Sequence, residues 1–379
     1  MGAGGYSLGL RDPGTINYQN PASYTSLDTL SFVFEGGILD QYFTIKSTQA
    51  SASNNYITLG YLNFGIPVTR WWKTSFGLLP FSNVGYNISD DDVIDNIGPV
   101  SYLYEGSGGI NQLYWGHGFS ITPRLSAGFN AAYLFGTLDK RRSAIFPDTS
   151  FSFNLRFIDQ NIYHDVLLTF GLQYDHPLRN NHYMRIGAIY GHKTNIRSTN
   201  DQIAYTFAKG STGIEFPKDT IVQTSGEKGD VVFPQRFGMG MTFGKQNRWE
   251  AGMDYQWQRW ESYAAHGIRD SLRNSAQISA GVQFIPDYAS VSNYWEKITY
   301  RFGLRYESTY LELKENQLSE VGISFGLGLP LRRSRSTLNV GMEFGRRGTT
   351  ADNLIQQNFV RFSFGVSVYE RWFVKRRYD

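Results

Sequence analysis

The feature that most constrains the fold of this chain is a strict alternation of apolar and polar side chains. Between residues 298 and 307, one set of alternate positions carries Ile, Tyr, Phe and Leu, and the other carries Thr, Arg, Gly and Glu. Because successive side chains of a strand point to opposite faces, this segment predicts a strand with one apolar and one polar face. The pattern returns at 321–329, 338–345 and 360–368.

Long alternating strands that are rich in aromatic residues are typical of transmembrane β-barrels, with lipid outside and a polar lumen inside. Aromatic residues make up 16% of the chain, which suits the girdles that such barrels place at the membrane surfaces. Counting alternating segments predicts an all-β fold, an antiparallel barrel of about 14 strands, which is the even number expected of a single-chain barrel. We therefore expect a cell outer-membrane protein of the Gram-negative type.

Composition excludes several other classes. No run approaches the ~18 consecutive apolar residues of a spanning helix. The chain has no cysteine, so disulfide frameworks and thiolate metal sites are absent. A net charge of +3 is too small to indicate a nucleic-acid partner. We expect no cofactor.

The first part of the chain differs from the rest. Residues 1–28 are polar and rich in turn-forming residues, and they do not alternate. We interpret them as a plug, or hatch, inside a barrel formed by residues 29–379, because wall side chains alone do not fill a lumen of this size. A disordered tail is the alternative.

The connections between the predicted strands alternate in length. Short ones, such as 67–70 and 122–124, are expected to be periplasmic turns, whereas long polar ones, at 87–99 and 198–229, are expected to be extracellular loops. Both termini are then periplasmic. Residues 71–88, 182–200 and 229–244 are each predicted to form one strand.

Four stretches of the chain resemble the FadL/TodX family of outer-membrane transporters for hydrophobic compounds, in its Bacteroidota form. A glycine-rich start at 1–5, followed by Asn20-Pro21-Ala22, is similar to the family's hatch. Residues 76–86 are similar to its third strand, and 233–260 to its mid-barrel hairpin. The ending, 372–377, is similar to the family's last strand.

The resemblance implies a ligand path. In the family, the hatch blocks the lumen and the ligand leaves sideways through the wall, where the third strand kinks. Pro80 supports this here, because proline cannot donate to the ladder and favours a bulge. The predicted ligand path is Pro80, Phe81, Asn83 and Gly85, with Asn20, Pro21 and Ala22 as the hatch. A bulge at Pro80 without function is the alternative.

Three functions remain open from the sequence. The first is a monomeric channel for passive uptake of hydrophobic small molecules or lipids, such as long-chain fatty acids. The second is a barrel subunit or interaction partner in a Bacteroidota secretion or surface assembly of the type 9 kind, engaging protein through 198–229. The third is a general porin.

Chemistry-bearing residues give little sign of an enzyme or a metal protein. No Ser–His–Asp arrangement is evident, and the six histidines lack metal-ligand spacing. Asp90, Asp91, Asp92 and Asp95 could bind Ca²⁺, but a solvated loop is the favoured interpretation. Unpaired buried charges are costly, so the inward charges are expected to pair across the lumen. These are Glu250, Asp254, Arg301, Arg305, Glu307, Glu343 and Arg361.

Overall fold

The computed structural model describes residues 2–48, 51–95, 97–146, 153–210, 213–332, 334–351 and 354–371. Its strands form one antiparallel sheet. They are β1 (Ser31–Lys46), β2 (Ser51–Pro67), β3 (Trp72–Asn83), β4 (Tyr86–Ile94), β5 (Gly98–Ser120), β6 (Leu125–Ile145), β7 (Asn154–Pro177), β8 (His182–Gly191), β9 (Thr194–Lys209), β10 (Glu215–Phe233), β11 (Arg236–Lys245), β12 (Trp249–Gln258), β13 (Ala264–Ala265), β14 (Ile268–Arg269), β15 (Ser275–Phe284), β16 (Thr299–Leu313), β17 (Asn316–Pro330), β18 (Thr337–Gly348) and β19 (Gln356–Arg371). Short 3₁₀ turns occur at Pro21–Ser26, Arg179–Asn181, Trp260–Ser262 and Tyr294–Lys297. No helix within these ranges is long and apolar enough to cross a bilayer.

The sheet closes into a barrel. β1 pairs with β19 over its whole length, from Ser31 opposite Arg371 to Lys46 opposite Gln356. The barrel has 14 strand positions, as predicted. The strand count is higher because β3 and β4 share one position, as do β8 and β9, and β10 and β11, while β13 and β14 form a small hairpin.

In the strands that lie below the long β9–β10 hairpin, the apolar face points outward. On β17, Ile323 and Phe325 are 41% and 48% exposed, whereas Ser324 between them is 2% exposed. A barrel in water would bury the apolar face instead, so an exposed apolar band identifies the wall of a transmembrane barrel. The alternation-based prediction of the fold is confirmed.

The predicted strand over residues 71–88 is wrong, because the structure divides it. β3 ends at Asn83 and β4 begins at Tyr86, and both pair with β5. The register between β3 and β5 shifts between Pro80 and Ser82, which makes Phe81 a bulged residue. β4 also occupies much of the predicted loop at 87–99.

The predicted strand at 182–200 and the loop at 198–229 are also wrong. β8 ends at Gly191, and β9 and β10 form a long hairpin through most of the expected loop. Together with β4 and the upper ends of β5, β6 and β7, this hairpin forms a six-stranded extension of the wall, the upper sheet. β4, β9 and β10 carry polar residues on both faces, so alternation could not reveal them.

Candidate functional site

The N-terminal segment, residues 2–28, packs against the inward face of the wall. Its apolar side chains are almost fully buried, including Tyr6, Leu8, Ile16, Tyr24 and Leu27. Its polar partners lie on strands around the barrel, from Asn130 on β6 to Ser324 on β17. The segment therefore lies in the lumen.

Two inward carboxylates hold the first turn of the segment. Asp254 Oδ2 accepts hydrogen bonds from the backbone N–H groups of Ser7 (2.6 Å) and Leu8 (2.9 Å). Glu250 accepts one from the Tyr6 hydroxyl at 3.1 Å. The prediction that Asp254 pairs with a cation is wrong, because the segment's backbone is its partner.

Arg11 joins the segment to β6 and β7. Its guanidinium donates to Ser126 Oγ (2.7 Å), Gln173 Oε1 (3.1 Å) and Thr25 Oγ1 (2.8 Å). These three acceptors are neutral oxygens, so within the described residues Arg11 is held by hydrogen bonds and not by a direct ion pair.

Asn20, Pro21 and Ala22 lie against β5, β6 and β7. The Asn20 amide oxygen accepts from the Ala22 N–H (3.2 Å) and caps the 3₁₀ turn, while its Nδ2 donates to the carbonyl oxygens of Leu8 (2.8 Å) and Leu172 (3.3 Å). Asn20 is fully buried. The side chain thus joins the turn, the first residues and the wall, while the blocking role of these residues stays a prediction.

Inward glycines allow the segment to approach the wall closely. A β-carbon on Gly303 would lie 1.9 Å from the backbone nitrogen of Gly4, and one on Gly187 would lie 1.8 Å from the Leu8 carbonyl oxygen. Only glycine admits backbone-to-backbone contact of this kind. The glycine-rich inward faces are therefore matched to the segment.

The wall has a seam between β2 and β3. Pairing of these strands runs from Pro67 opposite Lys73 to Leu62 opposite Leu78 and stops there. Within the described residues, 51–61 of β2 pair only with β1, whereas β4 and the last residues of β3 pair only with β5. Two unpaired strand edges thus face each other beyond Leu62, on the side away from Pro67.

The four predicted path residues border this seam. Pro80 and Asn83 are exposed, and Phe81 is half-buried. A β-carbon on Gly85 would meet no atom within 4 Å. The structure brings these residues to one edge, and their role in transport stays a prediction.

Apolar side chains fill the lumen beside the seam. A lower apolar cluster packs around Leu79 of β3 and includes Tyr24 and Leu27 of the N-terminal segment. An upper apolar cluster of Ile110, Leu134, Ile196 and Val231 packs with Phe81 and Phe233. Consecutive inward positions of β3 therefore join both clusters.

Aromatic rings continue the upper apolar cluster across the lumen. The ring centroids of Phe81 and Phe233 are 5.3 Å apart, those of Phe233 and Trp260 are 5.7 Å apart, and those of Trp260 and Tyr310 are 4.2 Å apart. Sequence analysis missed Tyr310 and the contact between Phe81 and Phe233, because alternation assigns a face and does not identify a neighbour 152 residues away along the chain.

The lumen side of β16 to β19 is charged. Glu320, whose side chain is 1% exposed, pairs with Arg305, Arg347 and Arg361. Glu307 and Glu343 complete this charge network. Pairing is thus confirmed for the predicted members Arg305, Glu307, Glu343 and Arg361, and for Glu250, which lies 3.6 Å from Arg185.

The network departs from the prediction at three residues. Arg301 donates to the amide oxygen of Asn339 (2.8 Å) rather than to a carboxylate. Glu320 and Arg347 were missed, although Glu320 lies on the same face of its strand as the inward Gly322 and Ser324. In the described ranges, no three His, Asp or Glu residues are placed to hold a metal.

Comparison with known proteins shows the family and the fold. A family model described as BamG matches residues 3–379. No curated protein matches the chain. The solved structure of the CymD monoaromatic hydrocarbon channel has a TM-score of 0.62 at 11% identity, covering 98% of this chain and 96% of that one.

Two further solved structures have the same architecture. The toluene transporter TodX of Pseudomonas putida has a TM-score of 0.62 at 16% identity, and a FadL homologue of Pseudomonas aeruginosa has 0.59 at 12%. Each comparison covers 98% of this chain and 96% of the other. At such identities the likeness shows the fold alone, whereas the family model covers nearly the whole sequence, so this chain belongs to the BamG family.

Proposed function

We propose that this protein is an outer-membrane channel for the passive uptake of hydrophobic small molecules, such as long-chain fatty acids. The N-terminal segment plugs the lumen, both termini are periplasmic, and the ligand leaves sideways through the seam. The observation that carries the proposal is the position of the seam, where an unpaired stretch of wall borders apolar lumen side chains at Leu79 and Phe81. The same fold in a monoaromatic hydrocarbon channel and in a toluene transporter supports it.

The seam also explains how an apolar ligand would avoid the aqueous periplasm. Strand edges in a bilayer normally pair, because unsatisfied backbone groups are costly there. An edge that stays open beside Phe81 gives a direct route from the apolar clusters to the surrounding lipid.

Closing the seam should stop uptake. The chain has no cysteine, so Leu59→Cys with Pro80→Cys can be joined across the seam by bismaleimides of graded length. We expect fluorescent fatty-acid uptake into liposomes to fall to the level of empty liposomes after cross-linking. Pro80→Val, which restores a ladder donor, should lower uptake in the same direction.

The matched control is Phe64→Cys with Phe76→Cys, a pair already opposed in the ladder below the seam. Cross-linking there should leave uptake unchanged. Wild-type uptake no faster than that of empty liposomes would refute the channel, and sugar flux in the same liposomes would indicate a porin.

The upper sheet favours a second candidate, a barrel subunit in a surface assembly. β10 is exposed over most of its length, and within the described part of the chain residues 215–230 pair on one edge only, with β9. Free strand edges are used for strand addition by partners.

Replacing 204–222 by a two-residue Asn-Gly turn separates these candidates, since Ile203 lies opposite Gln223. A channel should keep its uptake after this change. An assembly subunit should lose its surface partners in co-purification and keep its heat-modifiable barrel, whereas unchanged partners would argue against this role.

A further inference from the structure

The segment that joins β12 to β15, residues 259–274, folds back over the lumen. It lies at the end of the wall opposite the short turn between β11 and β12. Its residues Tyr263 and Ala265 pack against the upper apolar cluster. That cluster is in the lumen, because its member Leu134 is fully buried whereas the neighbouring Tyr133 is 45% exposed on the outward face. We name residues 259–274 the mouth hairpin.

The tip of the mouth hairpin is fitted to the β9–β10 pair. His266 Nε2 lies 3.1 Å from Ser198 Oγ, and the His266 backbone N–H donates to the Asp230 carbonyl oxygen at 3.0 Å. A β-carbon on Gly229 would lie 2.1 Å from His266 Nδ1, so a glycine is needed for the ring to approach this closely. The tip therefore occupies one defined seat on the wall.

Few backbone bonds hold the mouth hairpin in this seat. β13 pairs with β10 through only two positions, Val231 opposite Ala265 and Val232 opposite Ala264. In the described part of the chain β14 pairs only with β13, and its Ile268 is 75% exposed. Short two-stranded hairpins are marginally stable, and elements with few ladder bonds open at low free energy. The hairpin can thus leave β10 while the wall strands stay paired.

Both ends of the mouth hairpin are tied to the wall. The Arg259 N–H donates to the Gln235 carbonyl oxygen at 3.1 Å, and the ring of Trp260 stacks on that of Tyr310. At the other end, the Arg273 N–H donates to the Tyr310 carbonyl oxygen at 3.1 Å. Movement would therefore be confined to the residues between these two anchors.

From these contacts we infer that the mouth hairpin is a lid over an apolar ligand site, and that Tyr263 and Ala265 occupy this site until a ligand displaces them. The inference rests on the proposed function, in which the ligand passes from the extracellular side to Phe81 at the seam. The upper apolar cluster lies on that route. An incoming apolar ligand would cover the cluster again, which offsets the cost of the surface that opening exposes. Polar solutes cannot offset this cost, so the lid stays closed to them.

A disulfide between the mouth hairpin and the wall tests the lid. Directly opposed residues of an antiparallel pair have Cα atoms about 4.5–5.5 Å apart, which suits a disulfide. Val232→Cys with Ala264→Cys links β13 to β10. The matched control, Ala264→Cys with Arg269→Cys, links β13 to β14 and leaves the hairpin free of the wall. Added to either pair, Leu134→Cys reports opening through its reaction with a charged methanethiosulfonate, which does not cross lipid.

We expect the wall-linked disulfide to slow the labelling of Leu134→Cys about tenfold relative to the control disulfide. Gly229→Ala, which places a methyl group where the His266 ring lies, should speed labelling by a similar factor. Gly191→Ala should leave it unchanged, because its nearest contacts would be at ordinary van der Waals distances. Equal labelling with the two disulfides, or no labelling with either, would overturn the inference.

Fatty-acid uptake by the same variants separates this inference from the proposed function. Uptake should fall to the level of empty liposomes in the wall-linked protein and return after reduction with dithiothreitol, whereas the control disulfide should leave it unchanged. Uptake that persists with the hairpin linked to the wall would overturn the lid and keep the channel. Absence of uptake by the wild type would refute the channel, and the labelling rates would still decide whether the hairpin opens.

Discussion

Replacing Glu320 by alanine is expected to lower the free energy of unfolding by about 3–5 kcal/mol, the range found when one partner of a buried ion pair is removed. Glu320 is the most deeply buried member of the charge network. Its two oxygens accept from Arg305, from Arg347 (2.6 Å) and from Arg361 (3.4 Å). The substitution leaves three guanidinium groups with two carboxylates.

The remaining acids cannot replace it. Glu343 already lies 2.8 Å from Arg305 and 3.5 Å from Arg361, and Glu307 contacts Arg305 from its own strand. Arg347 would lose its only carboxylate partner within the described residues. The charge network therefore gains uncompensated positive charge.

Urea unfolding in lipid vesicles, followed by tryptophan fluorescence, measures this loss. Glu312→Ala is the control, because Glu312 pairs with Arg273, whose side chain is 51% exposed. An exposed pair of that kind contributes at most about 1 kcal/mol. Equal midpoints for the two variants would show that the network carries no net stability.

Deleting residues 2–28 is expected to convert a non-conducting barrel into an open pore. Barrels of 14 strands are wider than their wall side chains can fill. The segment occupies this space from Asn130 on one side to Ser324 on the other. We expect ion conductance in planar bilayers to rise about tenfold or more when it is removed.

A single substitution should produce the same change in part. Gly303→Ala places a methyl group where Gly4 now lies, and should displace the start of the segment. Gly191→Ala is the matched control, because its nearest contacts would be at ordinary van der Waals distances. Low conductance in both the deletion and Gly303→Ala would contradict the plug.

The sequence predicted the parts of this fold that lie in the membrane. Alternation works there because the two faces of a strand meet different media, lipid and lumen. It failed for β4, β9 and β10, where the upper sheet carries polar side chains on both faces. The mixed polar sequence at 198–229 predicts a loop, although most of these residues pair in the β9–β10 hairpin.

The site was predictable only in part, for a related reason. Pro80 predicts a local irregularity of the strand, because a proline lacks the N–H group that its own position in the ladder requires. The separation of β2 from β3 beyond Leu62 depends on two strands and on a bulge at Gly60. The bulge shows in the pairing of β1 with β2, where Tyr61 lies opposite Gly37 but Leu59 lies opposite the next residue, Ile38. Likewise, the hydrogen bonds of Asn20 depend on residues that only the closed barrel brings together.

The contacts of the N-terminal segment also constrain when this chain can finish folding. Gly4 donates to Ser324 Oγ, a partner 320 residues further along the chain. Contacts of such sequence separation form late, because the loop-closure entropy is lost before they contribute. The start of the N-terminal segment therefore reaches its final position only after β17 exists. An ordered N-terminal segment is thus a marker of a completed barrel, and protection of residues 2–28 from protease would report that completion.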